Sequence, residues 1–152
     1  MEIIVRKAKL EDIDVLARNV VAMAYDARQV RLDPTIVHEG VKNLFSRPQL
    51  GHYLVAEVGG QVAGSLMLGY EWSDWRNGVY WWIESVYVHP DFRRQGVYRS
   101  MYQFLKSEAK RDKNVYGLNL SVYKHNAIAR KSYEQLGMKE SESIIYGSPE
   151  IG

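Results

Sequence analysis

VYWWIESVYVHPDFRRQGVYRSM, residues 79–101, holds the turn on which the fold hinges. Its first part, Val79–Val88, is apolar on both parities, as a central strand covered on two faces would be. A helix is expected from about Gly96 to Lys110, with Tyr98, Met101, Tyr102, Leu105 and Ala109 on one stripe. A strand running through a glycine turn into a helix is a common anion-binding geometry. The first backbone N–H groups of the helix lack internal partners and sit at the positive end of its dipole. Arg93, Arg94 and Arg99 add full charges around the same turn. Neither a Walker A sequence nor G-x-G-x-x-G is present. The turn alone therefore supports two readings equally: a phosphate-binding tip, or an ordinary turn with solvated arginines.

Upstream, a short strand is expected around Ile3–Arg6. Ile13, Leu16, Ala17, Val20 and Ala24 then recur at helical spacing. Asp33-Pro34 opens a second helix, with a side-chain cap and a proline in the first turn; it ends before Pro48. HYLVAEV (52–58) and QVAGSLMLGY (61–70) read as two strands joined by a tight turn at Gly59-Gly60. Downstream come a strand at 116–122, a helix at 126–136 with Gly137 as its C′ residue, and a last strand near 138–146. The order β-α-α-β-β-β-α-β-α-β makes the chain α/β, a mixed sheet flanked by helices in a single domain over 1–152.

The 152 residues are about one domain's worth, enough to bury a core without covalent staples. A hydrophobic fraction of 46% and a charged fraction of 25% exclude disorder, collagen-like repeats and coiled coil for the whole chain. Cys 0 removes disulfide scaffolds, thiolate nucleophiles and Cys-based metal sites. The four histidines (His38, His52, His89, His125) lack ligand spacing, so no metal is expected. No leader peptide and no membrane span are read, and a cytoplasmic location is expected. A net charge of +2 is too small to argue for nucleic acid.

The segment NAIARKSYEQLGM (126–138) breaks the tie at the turn. Asn126, Ala129, Tyr133, Gly137 and Met138 resemble the N-x-x-A-x-x-x-Y-x-x-x-G-F/M segment of GNAT-superfamily N-acetyltransferases. Arg93-Arg94-Gln95-Gly96-Val97-Tyr98 resembles that family's Q/R-x-x-G-x-G/A pyrophosphate loop. The element order is similar too, so the resemblance covers nearly the whole chain. Tyr98 stands where the family usually has Gly or Ala; its place on the apolar stripe points it away from the pyrophosphate.

The resemblance implies acetyl-CoA as acyl donor, held by the loop from Arg93 to Arg99 mainly through backbone N–H groups. It also implies that the backbone of Val86, Tyr87 and Val88 pairs with pantetheine like an extra strand. One N–H there would polarise the thioester carbonyl, a donor typically worth about 3–4 kcal/mol. Glu84 is the candidate general base. By parity it shares a strand face with Val86 and Val88, and partial burial among apolar neighbours is expected to raise its pKa. The plainer reading is a structural carboxylate paired with an arginine or a backbone amide. Tyr133 is the implied general acid, its phenol protonated at neutral pH; the plainer reading is a core tyrosine. Asn126 is both helix cap and pantetheine partner. Lys131 reaches a 3′-phosphate or is simply solvated.

All four tryptophans fall between Trp72 and Trp82, and Tyr70–Tyr87 is rich in aromatics alongside Glu71, Asp74 and Glu84. Aromatic faces with carboxylates can receive a cationic amine, although at least half of these rings are expected in sheet packing. The expected acceptor is a small cationic amine, with a protein or peptide amine as the alternative. A catalytically silent acyl-CoA-binding module is the competing class. A second copy of the chain is an expected option as partner; nucleic acid and membrane are not expected.

Overall fold

Asp33 accepts a hydrogen bond from the Thr35 amide at 2.9 Å, and Pro34 follows it, so the second helix starts where cap and proline dictate. The computed structural model describes residues 1–149. They fall into two compact units, one of Met1–Ser121 and one beginning at Val122.

The first unit contains β1 (Ile4–Lys7), α1 (Ile13–Arg28), α2 (Pro34–Phe45), β2 (Gly51–Val58), β3 (Gln61–Ser73), β4 (Gly78–Val88), α3 (Val97–Arg111) and β5 (Val115–Leu120). The strands lie in the order β1-β2-β3-β4-β5. Each neighbouring pair is antiparallel except β4 with β5, which is parallel. A parallel pair needs a crossover between its strands, and α3 supplies it. This is the mixed α/β sheet that the sequence implied.

Strand period sorts the core into two layers. On one face, Tyr53 and Val55 of β2 pack against Leu16 and Ala17 of α1 and Val41 of α2. Asn19 of α1 also donates to the Ser65 hydroxyl of β3 at 2.9 Å. The other face carries Leu54, Leu66, Leu68 and Ile83, and α3 buries Val97, Met101 and Leu105. Val97 and Met101 reach the sheet at Gly64, where a Cβ would lie 2.9 Å from the Val97 side chain.

Arg6 of β1 ties the first strand to the start of α1. Its guanidinium donates to Asp12 at 2.8 and 3.1 Å and to Glu57, while the Lys9 amide donates to Asp12 at 2.7 Å. The Arg6 hydrogen bonds hold the buried Asp12 carboxyl below the usual carboxylate range, against the desolvation that would raise it. A depressed carboxyl stabilises the fold fully above the unfolded value of about 3.9 and loses that contribution as pH falls through the folded value. Asp12→Asn is therefore expected to lower unfolding free energy by about 2 kcal/mol at neutral pH. It should also flatten the dependence of stability on pH below about 4 in urea titrations. An unchanged slope would contradict this role.

The second unit contains α4 (Ala127–Gln135). Asn126 caps it by accepting from the Ala129 amide at 3.1 Å, and Gly137 follows it with φ 91°. Those are the two end signals read from the sequence. The strand expected near 138–146 does not form. Lys139, Glu140, Ser141, Glu142 and Ser143 break any apolar alternation, and Ile144, Ile145 and Tyr146 are exposed. No helix among the described residues is long and apolar enough to cross a membrane.

Candidate active site

Parallel pairing of β4 with β5 runs from Val79↔Val115 to Ile83↔Leu120 and stops there. From Glu84 to Val88, β4 pairs with β3 alone among the described residues. That stretch presents an open strand edge inside a sheet. It leads directly into the turn and the N-terminus of α3.

A bulge marks where the edge begins. Ser65 faces Tyr87 and Met67 faces Glu84, so β4 spends one residue more than β3 over this interval. Ser85 carries the irregularity, with φ 52°. The bulge overturns the simple parity expected for this strand. Glu84 and Tyr87 share the α1 face with Met67 and Ser65, whereas Val88 lies opposite Gly64, which faces α3. Glu84 is also exposed rather than half-buried, because Gly69 on the neighbouring strand puts no side chain beside it. Its candidacy as a base thus rests on position next to the open edge, not on burial.

At the turn, Gly96 has φ 84° and ψ 14° and precedes the first helical bond, from the Ser100 amide to the Gly96 carbonyl at 2.9 Å. Such a φ favours glycine. A Cβ at Gly96 would meet nothing within 4 Å, so the space in front of α3 is open. Arg94 is likewise left-handed, with φ 62°. Arg94 and Arg99 are exposed and make no ion pair or hydrogen bond among the described residues. Arg93 is committed elsewhere: it donates to the Val88 carbonyl at 2.8 Å and to Asp26 of α1 at 3.1 Å, and it lies over the Tyr87 ring. It latches the end of β4 to the turn. Gln95 donates to the Asp91 carbonyl at 3.1 Å. Val97 is buried and the Tyr98 ring leans on Tyr102 at 6.4 Å, so Tyr98 is directed along the apolar side of the helix, as expected.

In the second unit, Tyr133 is half-buried, and desolvation pushes its phenol above the usual value. Its carbonyl accepts from the Leu136 and Met138 amides, both at 3.1 Å, which fixes its backbone at the closing turn of α4. Asn126 uses only Oδ1 as a cap, leaving its amide NH₂ to donate. Lys131 is exposed.

The aromatic stretch divides. Trp81 stacks on Tyr70 on the α3 face, and His52 bonds the Tyr70 hydroxyl beside them. Burial pushes His52 down to about 4, so it is neutral at physiological pH and belongs to the packing. Trp72 and Trp75 are exposed, and the half-buried Trp82 faces the Glu84 side.

A family model described as the acetyltransferase (GNAT) family matches residues 19–138. The chain belongs to the GNAT acetyltransferase family. This GNAT chain is similar to a solved structure described as a possible acetyltransferase from Clostridium difficile 630. The two are 35% identical with a TM-score of 0.91, over 97% of each chain. It shares the fold, at 20% identity and a TM-score of 0.80 over 99% of each chain, with a predicted acetyltransferase with acetyl-CoA from Clostridium acetobutylicum. Among curated proteins it is 36% identical over 80 residues to thialysine N-epsilon-acetyltransferase of Caenorhabditis elegans, which is 51% of this chain and 49% of that one. It is 31% identical over 93 residues to an acetyltransferase of Sodalis glossinidius, 61% of each chain. The match thus spans about half to three fifths of these curated relatives.

Sequence reasoning placed Val97 in the loop but missed the burial of its side chain, and it missed Ser85 and the parting of β4 from β5. A serine at positive φ carries no sequence signal. Val97, an apolar residue directly after the glycine, could have been placed on the helix stripe.

Proposed function

We propose that this chain is an acetyl-CoA-dependent N-acetyltransferase that moves an acetyl group to a primary amine of a small cationic molecule. Residues 1–152 act as one such domain, and the amine attacks directly in a ternary complex. The observation that carries this reading is the open edge at Glu84–Val88 running into the open N-terminus of α3. An extended pantetheine suits the first, and a diphosphate suits the second. The C. elegans relative, named for thialysine, supports a small amine acceptor.

Acetyl-CoA supplies an activated acetyl thioester. Val86, Tyr87 and Val88 offer backbone groups along the edge. The amides of Gly96, Val97, Tyr98 and Arg99, with the charges of Arg94 and Arg99, hold the pyrophosphate; Gln95 and Arg93 shape the turn. Asn126 donates to pantetheine. Glu84 accepts the amine's proton through a water, and Tyr133 donates a proton to the departing thiolate. No step uses a metal.

The Glu84 role makes a pH prediction. The logarithm of kcat/KM should rise with unit slope and level off at the pKa of an essential group. Glu84→Gln keeps the shape and removes the charge, so the rate should drop by roughly 10²-fold or more at low pH, where little acceptor amine is neutral. Raising pH should restore part of it. A profile that Glu84→Gln leaves untouched would move the base elsewhere, with Glu71 and Asp74 next.

A further inference from the structure

We infer that Trp82 and Glu71 select a diamine, holding a second, protonated amino group of the acceptor while the first meets Glu84. This rests on the N-acetyltransferase reading above and narrows its substrate class. The register sets Trp82 opposite Gly69, Glu84 opposite Met67 and Glu71 opposite Tyr80. Strand period therefore puts Trp82 and Glu84 of β4 on the same sheet face as Gly69 and Glu71 of β3. Gly69 leaves the middle of this group empty. A Cβ there would lie 3.4 Å from Glu84 Oε2, so the carboxylate lies over the glycine, next to the indole's strand position. On the other flank, Trp82 Nε1 donates to Glu71 Oε1 at 3.1 Å.

One aromatic ring is thus bordered by two carboxylates, and among the described residues neither carboxylate is ion-paired. The complement of such a surface is a cation over the ring face. Glu84 and Trp82 are two residues apart, and a chain of about five carbons between two nitrogens covers the ~7 Å that two strand residues span. A monoamine would reach Glu84 and leave Trp82 and Glu71 unused. A diamine uses both: its neutral nitrogen gives up a proton toward Glu84, and its ammonium stays on the ring beside Glu71.

The test compares pentane-1,5-diamine with pentylamine as acceptors, each with saturating acetyl-CoA. The wild-type chain should favour the diamine by at least about tenfold in kcat/KM, and added salt should narrow the gap. In Glu71→Gln the diamine's KM should rise about threefold to fivefold with kcat nearly kept, narrowing the ratio by the same factor. Trp82→Phe keeps a ring but loses the N–H that steadies Glu71, and should retain part of the preference; Trp82→Leu should abolish it. Equal kcat/KM for both amines in the wild type, or a preference that Glu71→Gln leaves undiminished, would overturn the proposal while leaving N-acetylation in place. If acetyl-CoA binds and neither amine is acetylated, the acetyltransferase reading falls and takes this one with it.

Discussion

Tyr133→Phe is expected to slow acetyl transfer by roughly 10²–10⁴, the usual range for removing a general acid. The substitution deletes one hydroxyl and leaves the ring that fills the half-buried position. Acetyl-CoA affinity should therefore change little. Desolvation raises the phenol's pKa, so the proton stays on Tyr133 throughout the neutral and moderately alkaline range. Loss of activity from Tyr133 ionisation should accordingly appear only above about pH 10. Single-turnover rates for both proteins, measured at saturating donor, would separate chemistry from product release. An unaltered rate would return Tyr133 to a packing role.

Gly96→Glu should abolish the rise in melting temperature that acetyl-CoA gives the wild-type chain. Two effects act together. A side chain at φ 84° is strained by about 1–2 kcal/mol, and it enters the open space in front of α3. Its carboxylate then meets a diphosphate at close range, where like charges about 4 Å apart near a protein surface repel by ~4 kcal/mol. That corresponds to roughly a thousandfold in affinity. Gly96→Ala carries the backbone strain without the charge, so it should lower the melting temperature yet keep most of the donor-induced shift. A folded Gly96→Glu protein with the full shift would place the donor elsewhere.

The parts of this molecule legible in the sequence are those with local causes. Asp33-Pro34 and Asn126 announce helix starts because a side chain caps its own chain. Gly59-Gly60 closes a hairpin because both residues accept positive φ, 58° and 78°. Val79–Val88 reads as an interior strand because both its faces are apolar. Features set by non-local pairing were not legible. Parity along β4 failed at Ser85 because a bulge depends on how two strands share their register, and that inverted the face assigned to Val86 and Val88 relative to Glu84. The burial of Glu84 failed for a related reason, since register sets what lies beside it, and its diagonal neighbour Gly69 leaves the carboxylate uncovered. The final strand failed because Ile144, Ile145 and Tyr146 are too few apolar residues beside a charged run. For Arg93, charge was read correctly but its use was not: Val88 and Asp26 occupy a guanidinium that looked free for phosphate.

The central claim is acyl transfer to an amine, and release of free CoA thiol across a panel of amines tests it most directly. Calorimetry with acetyl-CoA on the same preparation would show that the donor is bound. Thiol release that requires both acetyl-CoA and a primary amine, and matches the N-acetyl product formed, is the expected result. Donor binding with no thiol released above the amine-free background, for any amine offered, would contradict it and make the chain a silent acyl-CoA-binding module.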